Sequence, residues 1–139
     1  MKQKSLISSS CLQHYVLIRK WGSDMEFFKI ETSFLHRLLD EYFVRLTNSL
    51  FIQDLKSNGE KLLNLEKEVS KVDLLIKRQL KELEWIAKNL ISENKERVID
   101  AQVELEFHMK SVALEFREVK TNIFKLIERV IHEDSFVIK

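Results

Sequence analysis

Residues 98–130 read VIDAQVELEFHMKSVALEFREVKTNIFKLIERV. Val98, Leu105, Met109, Val112, Phe116, Val119, Ile123, Leu126 and Val130 recur in this stretch on alternating steps of three and four. Gln102 fills the one polar slot in that ladder, and Glu, Lys and Arg occupy most of the other faces. This period marks a long amphipathic helix with a continuous apolar seam. Such a seam must be covered by other helices, and the chain contains two more runs of the same kind. The expected fold is all-α: an antiparallel three-helix bundle of long helices with coiled-coil-like packing.

Composition points the same way. The chain of 139 residues has no Pro and two Gly, which excludes loop-rich and sandwich-like folds. Its length suits a single domain, 1–139. Apolar residues make up 45% and charged residues 32%, enough for a core and enough to coat long helices. The formal net charge of +1 supplies no global field toward nucleic acid or anionic lipid. A lone cysteine, Cys11, excludes an internal disulfide and fits a reducing, cytoplasmic setting. No apolar run reaches the ~18 residues of a membrane span. Leu6-Ile7 behind Lys2 and Lys4 falls far short of the ~7–15 apolar residues of a secretory leader.

Taken in order, residues 1–10 are polar and Ser-rich and read as a disordered tail, with Ser10 a candidate cap for the first helix. The first seam runs His14, Ile18, Trp21, Met25, Phe28, Thr32, Leu35, Leu39, Tyr42, Leu46. Its phase is unchanged across Gly22, so the helix passes through that glycine. Beyond Leu46 the register slips. Continuing the ladder lands on Ser49, Gln53, Lys56 and Glu60, whereas the apolar residues are Ile52, Leu55, Leu62 and Leu65. That slip predicts a turn at 47–49, in Thr47-Asn48-Ser49, and makes Gly59 an interior glycine. The second stripe continues Val69, Val72, Ile76, Leu80, Leu83, Leu90, with a stutter at Val72–Ile76–Leu80. Asp73–Lys77 and Glu84–Lys88 read as i,i+4 ion pairs on the wet face. Ser92-Glu93-Asn94 offers caps for a second turn. The expected helices are about 11–47, 50–91 and 94–133, with Phe136 and Val137 docking back from a loose end.

Trp21, Ser23, Asp24, Phe27, Phe28, Lys29 and Glu31 form a pattern, Trp-x-Ser-Asp/Glu-x-x-Phe-aromatic-Lys-x-Glu. It resembles one in small uncharacterised helical-bundle proteins of Bacteroidetes-type bacteria, where it lies in the first of about three long helices. The resemblance covers about 11 residues. It implies a cytoplasmic bacterial bundle with a first turn near Asn48, and it implies no activity.

No constellation of catalytic residues emerges, and no enzyme activity is expected. In the expected fold the four histidines fall at four different heights, too far apart for one metal sphere. His36–Asp40, Glu104–His108 and Glu128–His132 read as surface pairs. The Glu-x-x-His spacing of di-iron bundles is missing, so no metal and no cofactor is expected. Cys11 and His14, three residues apart, are the one thiol–imidazole combination with the power to lower a thiol pKa, and nothing near them supplies an oxyanion hole. His14, Thr32 and Gln102 occupy seam slots and read as residues that fix register. Lys77, Arg78, Lys81 and Lys88 cluster without aromatic platforms and with Glu82 and Glu84 among them, a solvated face rather than a nucleic-acid footprint.

One feature exceeds structural need. A second apolar stripe comprises Phe27, Ile30, Phe34 and Leu38 on the first helix, and Phe107, Leu114, Phe124, Ile127 and Ile131 on the third. Part of it belongs to the wide core that three helices require. The remainder, Phe27, Phe34, Leu38, Phe107, Leu114, Phe124 and Ile131, is the candidate interface for a second copy or a partner helix. The expected function is a non-enzymatic helical interaction or scaffold module that forms a homo-oligomer, most simply a dimer. No nucleic acid, membrane or small-molecule substrate is expected as a partner. A metal-binding helical bundle and a helical nucleic-acid regulator are the alternatives.

Overall fold

The computed structural model describes residues 8–138, with side chains as far as Glu133. Its elements are α1 (Ser9–Glu41), α2 (Phe43–Leu46), α3 (Ile52–Ala87) and α4 (Lys95–Ile138). Among the described residues there is no strand, so the fold class is all-α. Positions 1–7 of the expected tail lie outside the described residues, as do the Phe136 and Val137 side chains. The tail expected over 1–10 is shorter at its inner end, because the helix starts at Ser9. Ser8, rather than Ser10, is the cap: its Oγ accepts a hydrogen bond from the Cys11 N–H at 3.1 Å. The last helix runs to Ile138, beyond the expected end near 133.

The buried faces of the three long helices follow steps of three and four. On α1 they are Cys11, His14, Ile18, Trp21, Met25, Thr32, Leu35 and Leu39, with Phe28 half-buried in its slot. On α4 every apolar residue of the quoted ladder is buried, from Val98 to Val130. On α3 the seam is Leu62, Leu65, Val69, Val72, Ile76, Gln79, Leu83 and Ile86. This corrects two expectations. The seam passes through the amide Gln79, not Leu80, so the stutter does not exist. Asp73 is buried rather than on the wet face, and the Lys77 ammonium reaches it at 2.9 Å. A buried carboxylate requires such a counter-charge.

The first turn lies where the register slips. The helix closes at Glu41, Tyr42 leaves the helical region at φ −99°, and one helical turn, α2, follows. The Thr47 hydroxyl donates to the Val44 carbonyl at 2.7 Å, and Asn48 Oδ1 accepts from the Leu50 N–H at 2.8 Å, an Asx turn. Phe51 then tucks inward and is buried. Gly59 sits well inside α3, as the phase predicts.

The second turn separates α3 from α4 by a device without Gly or Pro. Asn89 adopts φ 63°, in the left-handed region that Asn tolerates. The Leu90 N–H reaches back to the Trp85 carbonyl (2.8 Å) and the Asn89 N–H to the Ile86 carbonyl (3.0 Å), the Schellman pattern. Helix α3 therefore ends at Ala87, before the expected 91. Asn94 opens α4, its Oδ1 accepting from the Arg97 N–H at 3.1 Å.

The chain forms two compact units, each containing a stretch of α1, α3 and α4. The first comprises Met1–Phe27 and Val69–Ser111, the second Phe28–Glu68 and Val112–Lys139. The core of the first unit includes Ile18, Met25, Val72, Ile76 and Leu83 at near-zero exposure. There a Cβ added to Gly22 would meet Ile76 Cγ2 at 3.6 Å, ordinary contact that leaves room for a methyl. In the second unit Leu35, Leu46, Leu62, Leu65, Val112 and Ile123 are sealed. Phe28 meets Phe116 with centroids 5.1 Å apart at 55°. Lys120–Glu31 (3.1 Å) and Arg129–Asp54 (2.7 Å) tie that unit's helices at its rim.

Candidate functional surface

The candidate interface residues lie on α1 and α4, whose inward seams leave the opposite positions facing out. Phe27, Phe34, Phe107, Leu114, Phe124 and Ile131 are exposed and Leu38 is half-buried. Ile30 is exposed as well, whereas Ile127 belongs to the core. On the first unit the outward apolar residues also include Val103, Ile99, Leu74 and Trp85, and on the second Phe43, Val44, Leu50 and Leu63. Exposed aromatics spaced at helical period favour contact with another surface more than contact with water. Phe107 makes an edge contact with the His108 ring at 5.9 Å. Phe124 carries the Lys120 ammonium over its face at 5.6 Å.

His14 is sealed between Gln79 of α3 and Gln102 of α4. Gln79 Nε2 lies 3.4 Å from His14 Nε2, so the amide donates and the neutral ring accepts. The remaining ring proton then sits on Nδ1, which has no partner. Burial pushes the His14 pKa below its ordinary 6.5, and the approach of Gln102 offsets this only in part. Thr32, the second unit's seam residue, returns its hydroxyl to the Lys29 carbonyl at 3.2 Å.

Cys11 is buried beneath the helix cap, at position N3. Ser8 N–H and Ser8 Oγ both donate to the Glu93 carboxylate, at 3.3 and 2.8 Å. A capping box normally draws that carboxylate from N3 of the same helix. Here Cys11 stands at N3 and Glu93 supplies it from 85 residues away in the chain. Burial, and then the Glu93 charge, raise the Cys11 pKa above its ordinary value. The pKa-lowering that a thiol–imidazole pair has the power to exert is therefore not what governs Cys11: its surroundings favour the protonated thiol.

His36 turns its Nδ1 to Glu66 at 3.4 Å instead of to Asp40, and His108 faces Glu104 at 3.8 Å as expected. Among the described residues no three His, Cys, Asp or Glu side chains converge as metal ligands, and no helix is long and apolar enough to cross a membrane. A shallow groove of about 290 Å³ on the first unit is lined by Arg78, Glu82, Arg97 and Asp100, of which Arg97 and Glu82 are paired at 3.0 Å. On the second unit a groove of about 530 Å³ runs past His36, Phe43, Leu55 and Gly59. Glu115 is half-buried, and its pKa is raised by burial first and then by Glu68 and Glu118. Gln79 and Glu93 are the residues that sequence spacing missed. Position 79 follows Ile76 by three, which placed it on the seam, but its amide concealed that. Comparison of the chain with protein-family models, with curated proteins and with solved structures finds no match to any of them.

Proposed function

We propose that this chain is a non-enzymatic, cytoplasmic interaction module that associates with copies of itself. In this reading the three long helices form an antiparallel bundle with coiled-coil-like packing. The single observation that carries the proposal is the large apolar residues left exposed on helices with buried inward seams, Phe27 and Phe107 on the first unit and Phe34 and Phe124 on the second. Large apolar side chains left exposed at helical spacing favour contact with a second surface. A symmetric dimer is the simplest closed assembly in which a surface covers itself. The buried polar residues His14 and Gln79 then act as register markers within the core rather than as reactive groups.

Analytical ultracentrifugation from low to high protein concentration tests this. The expected result is a dimer whose population falls on dilution and on changing Phe27 or Phe124 to Lys. A strict monomer throughout, indifferent to both substitutions, removes the proposal.

A further inference from the structure

We infer that two copies of the chain pair through the second unit, the Phe34–Leu38 face of α1 in each copy seated in the Phe124–Ile131 groove of α4 in the other, about a two-fold axis parallel to these helices. The inference rests on the self-association reading and specifies its geometry. Every residue it uses lies in the second unit, within Phe28–Glu68 or Val112–Lys139. In that unit the Lys120 ammonium binds Glu31, 89 positions earlier in the chain, at 3.1 Å, and Phe28 packs on Phe116 at almost the same offset. The bridge marks the line where α1 and α4 meet at the surface. At about 100° per residue, Phe34 and Leu38 stand within about 60° of Glu31, and Phe124 and Ile131 within about 40° of Lys120. All four therefore flank that line. Phe34 (43%), Phe124 (42%) and Ile131 (46%) are exposed there, and Leu38 is half-buried.

The α4 side of this surface is a hole, and the α1 side supplies the knob. Phe124, Ile127, Glu128 and Ile131 are spaced i, i+3, i+4, i+7, the four positions that receive one side chain from a facing helix. With Thr121 and Lys125 they line a groove of about 490 Å³. The offset within the chain puts Leu38 level with Ile127, at the middle of the hole, and Phe34 level with Ile123, beside Phe124. A two-fold axis parallel to the helices keeps every level, so the second copy's Leu38 enters the hole and its Phe34 meets Phe124. Charge fits the same placement. Lys120 stays with Glu31 and Arg129 with Asp54, both pairs already made inside the chain. Arg37 and Glu128 are exposed and have no counter-charge among the described residues. Arg37 is level with Leu126, about 3 Å along the axis from Glu128, so the second copy's guanidinium reaches that carboxylate. Glu41, one turn after Arg37, gives the same guanidinium a second carboxylate, and Lys125 points about 60° further out than Glu128. An axis set across the helices lays α1 on α1 and α4 on α4, and never brings Arg37 to Glu128.

Charge exchange at the Arg37–Glu128 rung is the test, read by sedimentation equilibrium on the full chain. Both positions are exposed, and far-ultraviolet circular dichroism checks the fold of each variant alongside. The rung occurs twice in the dimer, so Arg37→Glu and Glu128→Arg are each expected to weaken dimerisation about tenfold or more, and the double variant to restore it to within a few-fold of the parent. Two weakened singles without rescue in the double overturn the seating of α1 on α4. Unchanged dimerisation in all three overturns this face and leaves self-association standing. A parent chain that is monomeric throughout overturns both.

Discussion

A buried imidazole with one unpartnered nitrogen is a costly residue to keep, and its cost depends on pH. His14 is folded in its neutral form, with Nε2 accepting from Gln79 and Nδ1 unpaired. Its folded pKa lies below the 6.5 of the unfolded chain. Between those two values the unfolded state binds the extra proton, so stability is full above about pH 6.5 and is lost as pH falls toward the folded pKa. Glu115 has the opposite sign at more acid pH, since a raised carboxyl pKa favours the folded state as protons are added. The two are separated by substitution: His14→Leu, close in volume and without a proton to gain, is expected to flatten the loss below pH 6.5 in urea titrations. Parallel pH profiles for parent and variant would show that His14 does not set the slope. The position was legible in the sequence as a polar seam slot. Its partner Gln79 was not, because an apolar residue, Leu80, adjoins it and drew the ladder one residue off.

At the scale of the element, the helix ends hold more of the surprises than the interiors, where Gln79 and Asp73 of α3 are the departures. Interiors follow period, and period is written in single residues. Ends depend on φ angles and on partners far along the chain. Asn89 closes α3 in the left-handed conformation, a role more often signalled by Gly. Ser8 caps α1 with a carboxylate borrowed from Glu93, a pairing no local pattern announces. If that borrowed cap acts as one unit, Ser8→Ala and Glu93→Ala each cost about 1 kcal/mol of stability and the double variant costs less than their sum. Guanidinium denaturation of the four chains measures the coupling; strict additivity would place the two residues in unrelated roles. Gly59 argues in the other direction. A Cβ there meets nothing within 4 Å, and the residue lies inside α3. Gly59→Ala is therefore expected to stabilise by about 0.5–1 kcal/mol, through helix propensity alone. A loss of stability would mean the groove beside it tolerates no added atom.

For the whole molecule, the apolar content exceeds what its buried seams absorb. All-α character and the apolar seam of α4 were legible because heptad spacing survives single polar interruptions such as Gln102. The division into two units was not, because α1, α3 and α4 each contribute to both and no composition shift marks the boundary. Which apolar residues stay outside was legible in part: Phe27, Phe34, Phe107 and Phe124 were separated from the core by phase, while Ile127 was drawn in. The proposed self-association predicts a thermodynamic signature, since binding to the folded form alone raises the unfolding temperature with protein concentration. An unfolding temperature independent of concentration over two decades would agree with a monomer. The end of the first unit also holds an instrument for watching it breathe. Cys11 is the chain's only thiol, it lies under the Ser8–Glu93 closure, and its environment keeps it protonated. A colourless alkylating reagent can therefore reach it when that closure parts, and the rate of labelling reports how readily it does so, with no dye or tag added to the chain.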